Sequence, residues 1–302
     1  MRIVKKPIIN FIQYIHEHEK IIKKVEYIRG IYKYPGKMLG RKFPNNNINN
    51  NIDVLVFAAH PDDDVLGLGT TLSRHSQKGD TIKIIFVTNG SKGVGESWNI
   101  RESESIRRSE VRYREAVQAL AVINIPSENI FCLGYPDGGT QRYLKNMSVD
   151  ILMLIQKYNP GRIYVHCIEG GHGDHDMTSF VVKSICEKIG YSNVFEWTEY
   201  NPKQPLGSHD VNFLPSQSPK QKEIKIDISK EEQSLKRQML AFHQSQDVEQ
   251  FFLQGEAIRQ ANTSKLEKEL YDHCQLPKSR LLPILKEFNK FLSKLVAKHS
   301  FY

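Results

Sequence analysis

No run of about 18 consecutive apolar residues occurs in this 302-residue sequence, so a membrane-spanning helix is not expected. The start of the chain lacks the marks of a signal peptide as well. Asn10, Gln13 and His16 interrupt its apolar residues, and no small-residue cleavage site follows. Cysteine is scarce: Cys132, Cys167, Cys186 and Cys274 lie far apart, with no C-x-x-C pair. That spacing argues against a disulfide framework or a thiolate metal cage and suits a reducing, cytoplasmic compartment. There is no internal repeat and no complete glycine fingerprint. Gly67-Leu68-Gly69 opens like one, but Leu72 stands where its third glycine would be, which argues against a dinucleotide cofactor. The net charge of +8 is absent from the middle of the chain. Residues 1–52 carry +8 and residues 264–302 carry +4, which leaves −4 on residues 53–263. A nucleic-acid enzyme would concentrate positive charge around its catalytic core, so no nucleic-acid partner is expected.

What the sequence does contain is an alternation of short apolar runs and helical patterns after an Asn-rich linker, Phe43 to Asp53. Strands are expected at Val54–Ala59, Thr81–Thr88, Asn129–Gly134, Arg162–Cys167 and Asn193–Tyr200. Helices are expected at 65–77, 103–122, 148–158 and 176–189. This order predicts an α/β, Rossmann-like fold, a mostly parallel sheet with helices on both faces. A Pro-rich loop follows over 201–222, then an edge strand at Glu223–Ile228 and a helix opened by the Ser229–Glu232 capping box. From about Phe242 the rest reads as helical. The division is a basic N-terminal helical extension with its linker (1–52), a catalytic domain (53–246) and a C-terminal helical tail (247–302).

In such sheets ligands bind outside the carboxyl ends of the strands. The first strand runs into His60-Pro61-Asp62-Asp63-Asp64, and the fourth into a loop containing His172-Gly173-Asp174-His175. Adjacent carboxylates repel one another and lose solvation, so something positive is expected beside them. Alone, the acidic run also reads as a solvated turn at the positive end of a helix. Two imidazoles and several carboxylates at the ends of one sheet make a transition-metal site. Such a donor set suits Zn²⁺ or Fe²⁺, whereas Mg²⁺ and Ca²⁺ prefer oxygen alone.

These residues resemble the signatures of the PIG-L/LmbE-like amino-sugar deacetylases. The resemblance rests on Ala59-His60-Pro61-Asp62-Asp63, Thr88-Asn89-Gly90, Leu133-Gly134-Tyr135-Pro136-Asp137-Gly138, His172-x-Asp174-His175 and His243-Gln244-Ser245-Gln246, in that order. Arg107, Arg108, Glu110 and Arg112 resemble the family's Arg/Glu-rich second helix. The resemblance implies a zinc-dependent hydrolase that removes acetyl from N-acetylglucosamine-type units. It implies His60, Asp63 and His175 as metal ligands, Asp62 as general base, His172 as general acid and Asp174 as the residue tuning His172. Asp174 is expected to favour the protonated His172 ring. Asp64 stands where the family commonly has Glu, and Gly173 where it commonly has Pro. Asn89, Trp98, Arg101 and Asp137 are candidate sugar contacts.

Two other functions remain open at this stage: a metal-dependent amidase on a non-sugar amide, and a non-catalytic sugar-binding member of the same fold. The expected partner is a small-molecule amino sugar, either a glycoconjugate or an aminoglycoside-type antibiotic intermediate. An oligomer is compatible with the sequence. In the N-terminal extension Ile3, Ile8, Ile9, Phe11, Ile12 and Tyr14 are interleaved with Lys5 and Lys6. That pattern reads as a helix packed on the core or as an interfacial helix on an anionic membrane. Its scattered apolar residues favour packing, so membrane association is not favoured.

Overall fold

A computed structural model describes residues 11, 14, 18–28, 38–44, 51–91, 100–214 and 222–299. Among these, β1 (Val54–Ala58), β2 (Ile82–Thr88), β3 (Ile130–Tyr135), β4 (Arg162–His166), β5 (Val194–Trp197), β6 (Glu223–Ile226) and β7 (Glu256–Gln260) form one sheet. Its spatial order is β3-β2-β1-β4-β5-β7-β6. The first five strands pair in parallel, and β7 joins antiparallel to both β5 and β6. Every residue of β1 is buried, as its unbroken apolar run requires when both faces of a sheet are covered.

Alternate residues of one strand feed opposite cores. Leu55 and Phe57 face a cluster with Ile151 of α4 (Leu144–Tyr158), Phe180 of α5 (Gly173–Ile189) and Phe288 of α8 (Lys278–His299). Val54, Val56 and Ala58 face Leu68 of α2 (Asp63–Gln77), Leu120 of α3 (Glu102–Ala121) and Met239 of α6 (Lys230–Leu240). Helix α8 presents Leu281, Leu285, Phe288, Leu292 and Leu295 at three- and four-residue spacing, one helical face laid on the core. The Ser229–Glu232 capping box opens α6 as expected.

Parts of the basic extension are held to the core. Residue 42 bridges Cys132 along the outer edge of β3, with both backbone hydrogen bonds made, so this segment covers an otherwise open strand. Helix α1 (Glu19–Ile28) buries Ile22 and Glu26 completely. The segments carrying the interleaved Ile and Lys residues, and most of the Asn-rich linker, lie outside the described residues.

Three expectations need correction. The chain is not helical throughout from residue 242, because β7 intervenes before α7 (Leu266–His273) and α8. Its sequence, EAIRQ, hides a strand because Glu256 and Arg259 are buried as ion pairs, with Lys236 at 3.1 Å and Glu196 at 2.7 Å. Helix α4 starts at Leu144, before the expected 148, and α5 at Gly173, before 176. The second shift places His175 in the first turn of a helix. No described helix is long and apolar enough to cross a membrane.

Candidate active site

β1 lies between β2 and β4, so the connections leaving β1 and β4 diverge to opposite sides and open a crevice at the carboxyl ends of these strands. The turn after β1 carries His60 and Asp62, and α2 begins at Asp63. Asp63 and Asp64 occupy its first turn, where the helix dipole favours carboxylates. The loop after β4 brings His172, Asp174 and His175 to the facing wall on α5. Gly170 has φ +71°, and a Cβ at Gly171 would collide with the Tyr200 carbonyl, so this approach needs glycine.

His60 is enclosed by carboxylates. Its Nδ1 lies 3.2 Å from Asp63 Oδ2, and its Nε2 lies 3.3 Å from Asp174 Oδ2 and 3.5 Å from Asp137 Oδ1. Burial alone would lower its pKa, but Asp63 and Asp137 raise it well above the ordinary histidine value. Burial would push the Asp63 carboxyl up, yet His175 and His60 hold it well below the usual carboxylate range. His175 is almost fully buried, its Nε2 lies 3.3 Å from Asp63 Oδ2, and neither ring nitrogen has a hydrogen-bond partner.

Asp62 sits at φ 154°, ψ −29°, a conformation L-residues rarely adopt and one that typically costs about 1–3 kcal/mol. Arg112 of α3 reaches it with Nη2 at 2.9 Å from Oδ1, and donates from Nη1 to the Gly90 carbonyl at 3.0 Å. Burial pushes Asp62 up to about 6, against the pull of Arg112. Asp64 is buried beneath, and burial together with Asp62 and Asp63 pushes its carboxyl well above the usual range. The positive group demanded by three adjacent carboxylates is therefore Arg112, which the sequence reading placed in a family-like helix without assigning it a contact. Its signal was available: Ser105, Ser109, Arg112, Ala116 and Ala119 form the buried stripe of α3, and a charge on such a stripe faces something inside.

The expected upward pull of Asp174 on His172 is present but outweighed. His172 caps α5, its Nδ1 accepting from the Asp174 backbone N–H at 3.2 Å. The Asp174 carboxylate lies 3.9 Å from that nitrogen. It instead accepts from Gly138 N at 2.6 Å and from Thr140 Oγ1 at 2.6 Å, and it faces His60. Burial, then the neighbouring His60, lowers His172 to about 4, outweighing Asp174.

His166, at the end of β4, was not singled out from the sequence. It stacks on His175 with ring centroids 4.0 Å apart, and its Nε2 accepts from Ala59 N at 3.0 Å. Burial and His175 lower its pKa to about 3. It lies with Asp63 and His175 in a group spaced for metal binding, but the Ala59 hydrogen bond occupies its lone pair, so it reads as support for His175. The other groups so spaced are His60, His172 and His175, and His60, Asp137, His172 and Asp174. These His/Asp groups can hold a metal ion.

Of the candidate sugar contacts, Asp137 lies in the cluster and Asn89 is buried at the end of β2, its side-chain amide nitrogen unpartnered. Arg101 is exposed at the start of α3, and Trp98 lies outside the described residues.

Residues 55–186 match the model of the PIG-L family, described as GlcNAc-PI de-N-acetylase. The uncharacterized deacetylase YaiS of Escherichia coli is 23% identical over 167 residues, 52% of this chain and 83% of YaiS. Diacetylchitobiose deacetylase of Thermococcus kodakarensis is 27% identical over 140 residues, 45% of this chain but only 50% of that protein. A crystallised deacetylase of the teicoplanin biosynthetic pathway shares the fold, with TM-score 0.54 and 18% identity over 68% of this chain and 96% of its own. Over residues 55–186 the chain carries a domain of the PIG-L (GlcNAc-PI de-N-acetylase) family.

Proposed function

We propose that this chain is a metal-dependent hydrolase that removes the acetyl group from an N-acetylglucosamine-type amino sugar, releasing acetate and a free amine. The supporting observation is the convergence of His60, Asp63 and His175 beside Asp62, with the buried His175 ring lacking hydrogen-bond partners. A buried, unpartnered imidazole against an ionised carboxylate is a poor arrangement unless a cation joins them. His60, Asp63 and His175 would hold that ion, and their mixed N/O donor set favours Zn²⁺, with Fe²⁺ next. When bound, such an ion polarises an amide carbonyl and lowers the pKa of water.

The protein groups divide the remaining work. Asp62 takes a proton from the attacking water through the carboxylate oxygen that Arg112 leaves free. With its pKa raised to about 6, the same carboxyl can release that proton to the leaving amine. His172 accepts at Nδ1, so its neutral ring carries hydrogen on Nε2 and can donate to the developing oxyanion. Burial of His172 favours this hydrogen-bonding role over the protonated acid that the family resemblance implies. Asp174 holds His60 and the Gly138–Thr140 turn in place. Asp137 and Asn89 are the described candidates for contact with sugar hydroxyls. The named activity of the Thermococcus relative on diacetylchitobiose agrees with an N-acetylated sugar as substrate.

The test is acetate release from a panel of N-acetylglucosaminides with different aglycones, using chelated protein reconstituted with titrated Zn²⁺ or Fe²⁺. Metal-dependent release from at least one is expected. No release from any, by folded protein that binds the metal, overturns the reading.

A further inference from the structure

The two basic ends of the chain meet in one pocket. A cavity of about 450 Å³ lies between α1, the start of α4 and α8. Among the described residues, Lys20, Lys23, Lys145 and Arg280 line it, and Glu287 is the one lining carboxylate. Arg142 also lines it, but its charge is met by Glu26, buried behind the wall at 3.3 Å. Glu287 meets Lys145 at 3.1 Å, so among the described lining residues Lys20 and Lys23 add positive charge beyond that pair. Leu144, Lys145 and Asn146, the first turn of α4, add the positive end of a helix dipole. Partial burial against this wall, then the nearby Lys145, draws Lys23 below the ordinary lysine value, although its side chain stays open to solvent. The remaining wall is apolar: Ile21, Leu144, Pro283, Ile284 and Phe288.

We propose that this pocket binds a single anionic amphiphile, a phosphate- or carboxylate-headed molecule with one hydrocarbon chain. The cations would hold the head and the apolar wall the chain, and the volume falls within the range of about 300–1,000 Å³ that encloses small molecules. A flat membrane surface would not need a cavity. The pocket is separate from the candidate active site but shares a wall with it. In the turn Thr140–Arg142, Thr140 bonds Asp174 on one side while Gln141 and Arg142 line the pocket on the other. The proposal does not depend on deacetylation, and neither does its test.

Decyl phosphate, kept below its micelle concentration, is titrated into the full chain by calorimetry. Saturable binding is expected, at least about tenfold tighter than inorganic phosphate or decyl glucoside, which carry the head or the tail alone. The double variant Lys20→Ala/Lys23→Ala should lose at least about tenfold in affinity, and Ile21→Asp should weaken binding through the apolar wall. Both substitutions lie at exposed positions and should leave the melting temperature and metal content unchanged. No saturation of the native protein by about 1 mM decyl phosphate overturns the proposal, as does an affinity unchanged in both variants. Binding to phosphatidylglycerol vesicles without binding to monomeric decyl phosphate also overturns it, because that result assigns the charge to a surface and not to the cavity.

Discussion

Replacing Arg112 by Gln should shift the pH at which the enzyme becomes active. Arg112 places a fixed positive charge 2.9 Å from Asp62, and both side chains are more than nine-tenths buried. A buried opposite charge at that range typically lowers a carboxyl pKa by about 1–3 units. Removing it moves Asp62 upward by that amount from about 6. The ionised fraction at pH 7 then falls from about nine-tenths to between about one-half and one-hundredth. Base catalysis needs the ionised form, so kcat/KM at pH 7 should fall about 2- to 100-fold and recover toward pH 9. A cation at Asp63 lowers Asp62 in native and variant protein alike, so the difference between their acidic limbs is the quantity to measure. Arg112→Lys keeps the charge and should hold the limb near its native position. It loses the fork that also serves the Gly90 and Pro61 carbonyls, so some activity is lost at every pH. The assay is acetate release against pH with metal-reconstituted protein. An acidic limb in Arg112→Gln that coincides with the native one refutes the electrostatic argument and leaves Arg112 a structural residue.

Three further outcomes are expected. Asp62→Asn should retain metal by elemental analysis yet lose at least about 10²-fold in turnover, and near-native turnover would remove Asp62 from the proton path. His175→Ala should lose most of its metal while keeping its far-UV spectrum, because the sheet is packed without that ring; unchanged stoichiometric metal would show that other groups hold it. Gly173→Pro should raise stability by about 0.4–1 kcal/mol in denaturant titration, through reduced freedom of the unfolded chain. Gly173 is the first residue of α5, the preferred helical position for proline, its would-be Cβ meets nothing within 4 Å, and His172 before it is extended. A lower unfolding midpoint would show that the Gly173 conformation cannot take a proline ring.

The parallel strands and the two motif loops were legible because their signals are local. VLVFA is an unbroken apolar run and IKIIFVT is interrupted only by Lys83 before its closing Thr88, and the residues that meet after β1 and β4 follow within nine positions of each strand end. What escaped was set by partners distant in sequence. β7 carries Glu256 and Arg259, polar on paper and buried in the fold because Lys236 and Glu196 neutralise them. His166 was passed over as the last residue of an apolar strand, yet it supports His175 by stacking. The protonation of His172 was inferred from its neighbour in sequence, Asp174, whereas the carboxylate turns toward the Gly138–Thr140 turn and His60. Sequence adjacency places a backbone and does not aim a side chain.

The charge within the crevice carries the same lesson one step further. Asp62, Asp63, Asp137 and Asp174 are all nearly buried, and among the described residues Arg112 is the one permanent cation that they face in ion-pair contact. Burial of that many carboxylates is costly unless positive charge balances them. The protein resolves part of the conflict by proton placement: Asp62 rises to about 6, and His60 holds a proton well above its ordinary pKa. A divalent cation seated on His60, Asp63 and His175 would displace that proton and supply the balancing charge, so its binding should release protons and tighten as pH rises. The acidic run after β1 is thus more than a helix cap. A cap needs one carboxylate at a helix start, whereas Asp63, Asp137 and Asp174 converge on His60, an arrangement that a bound cation would stabilise.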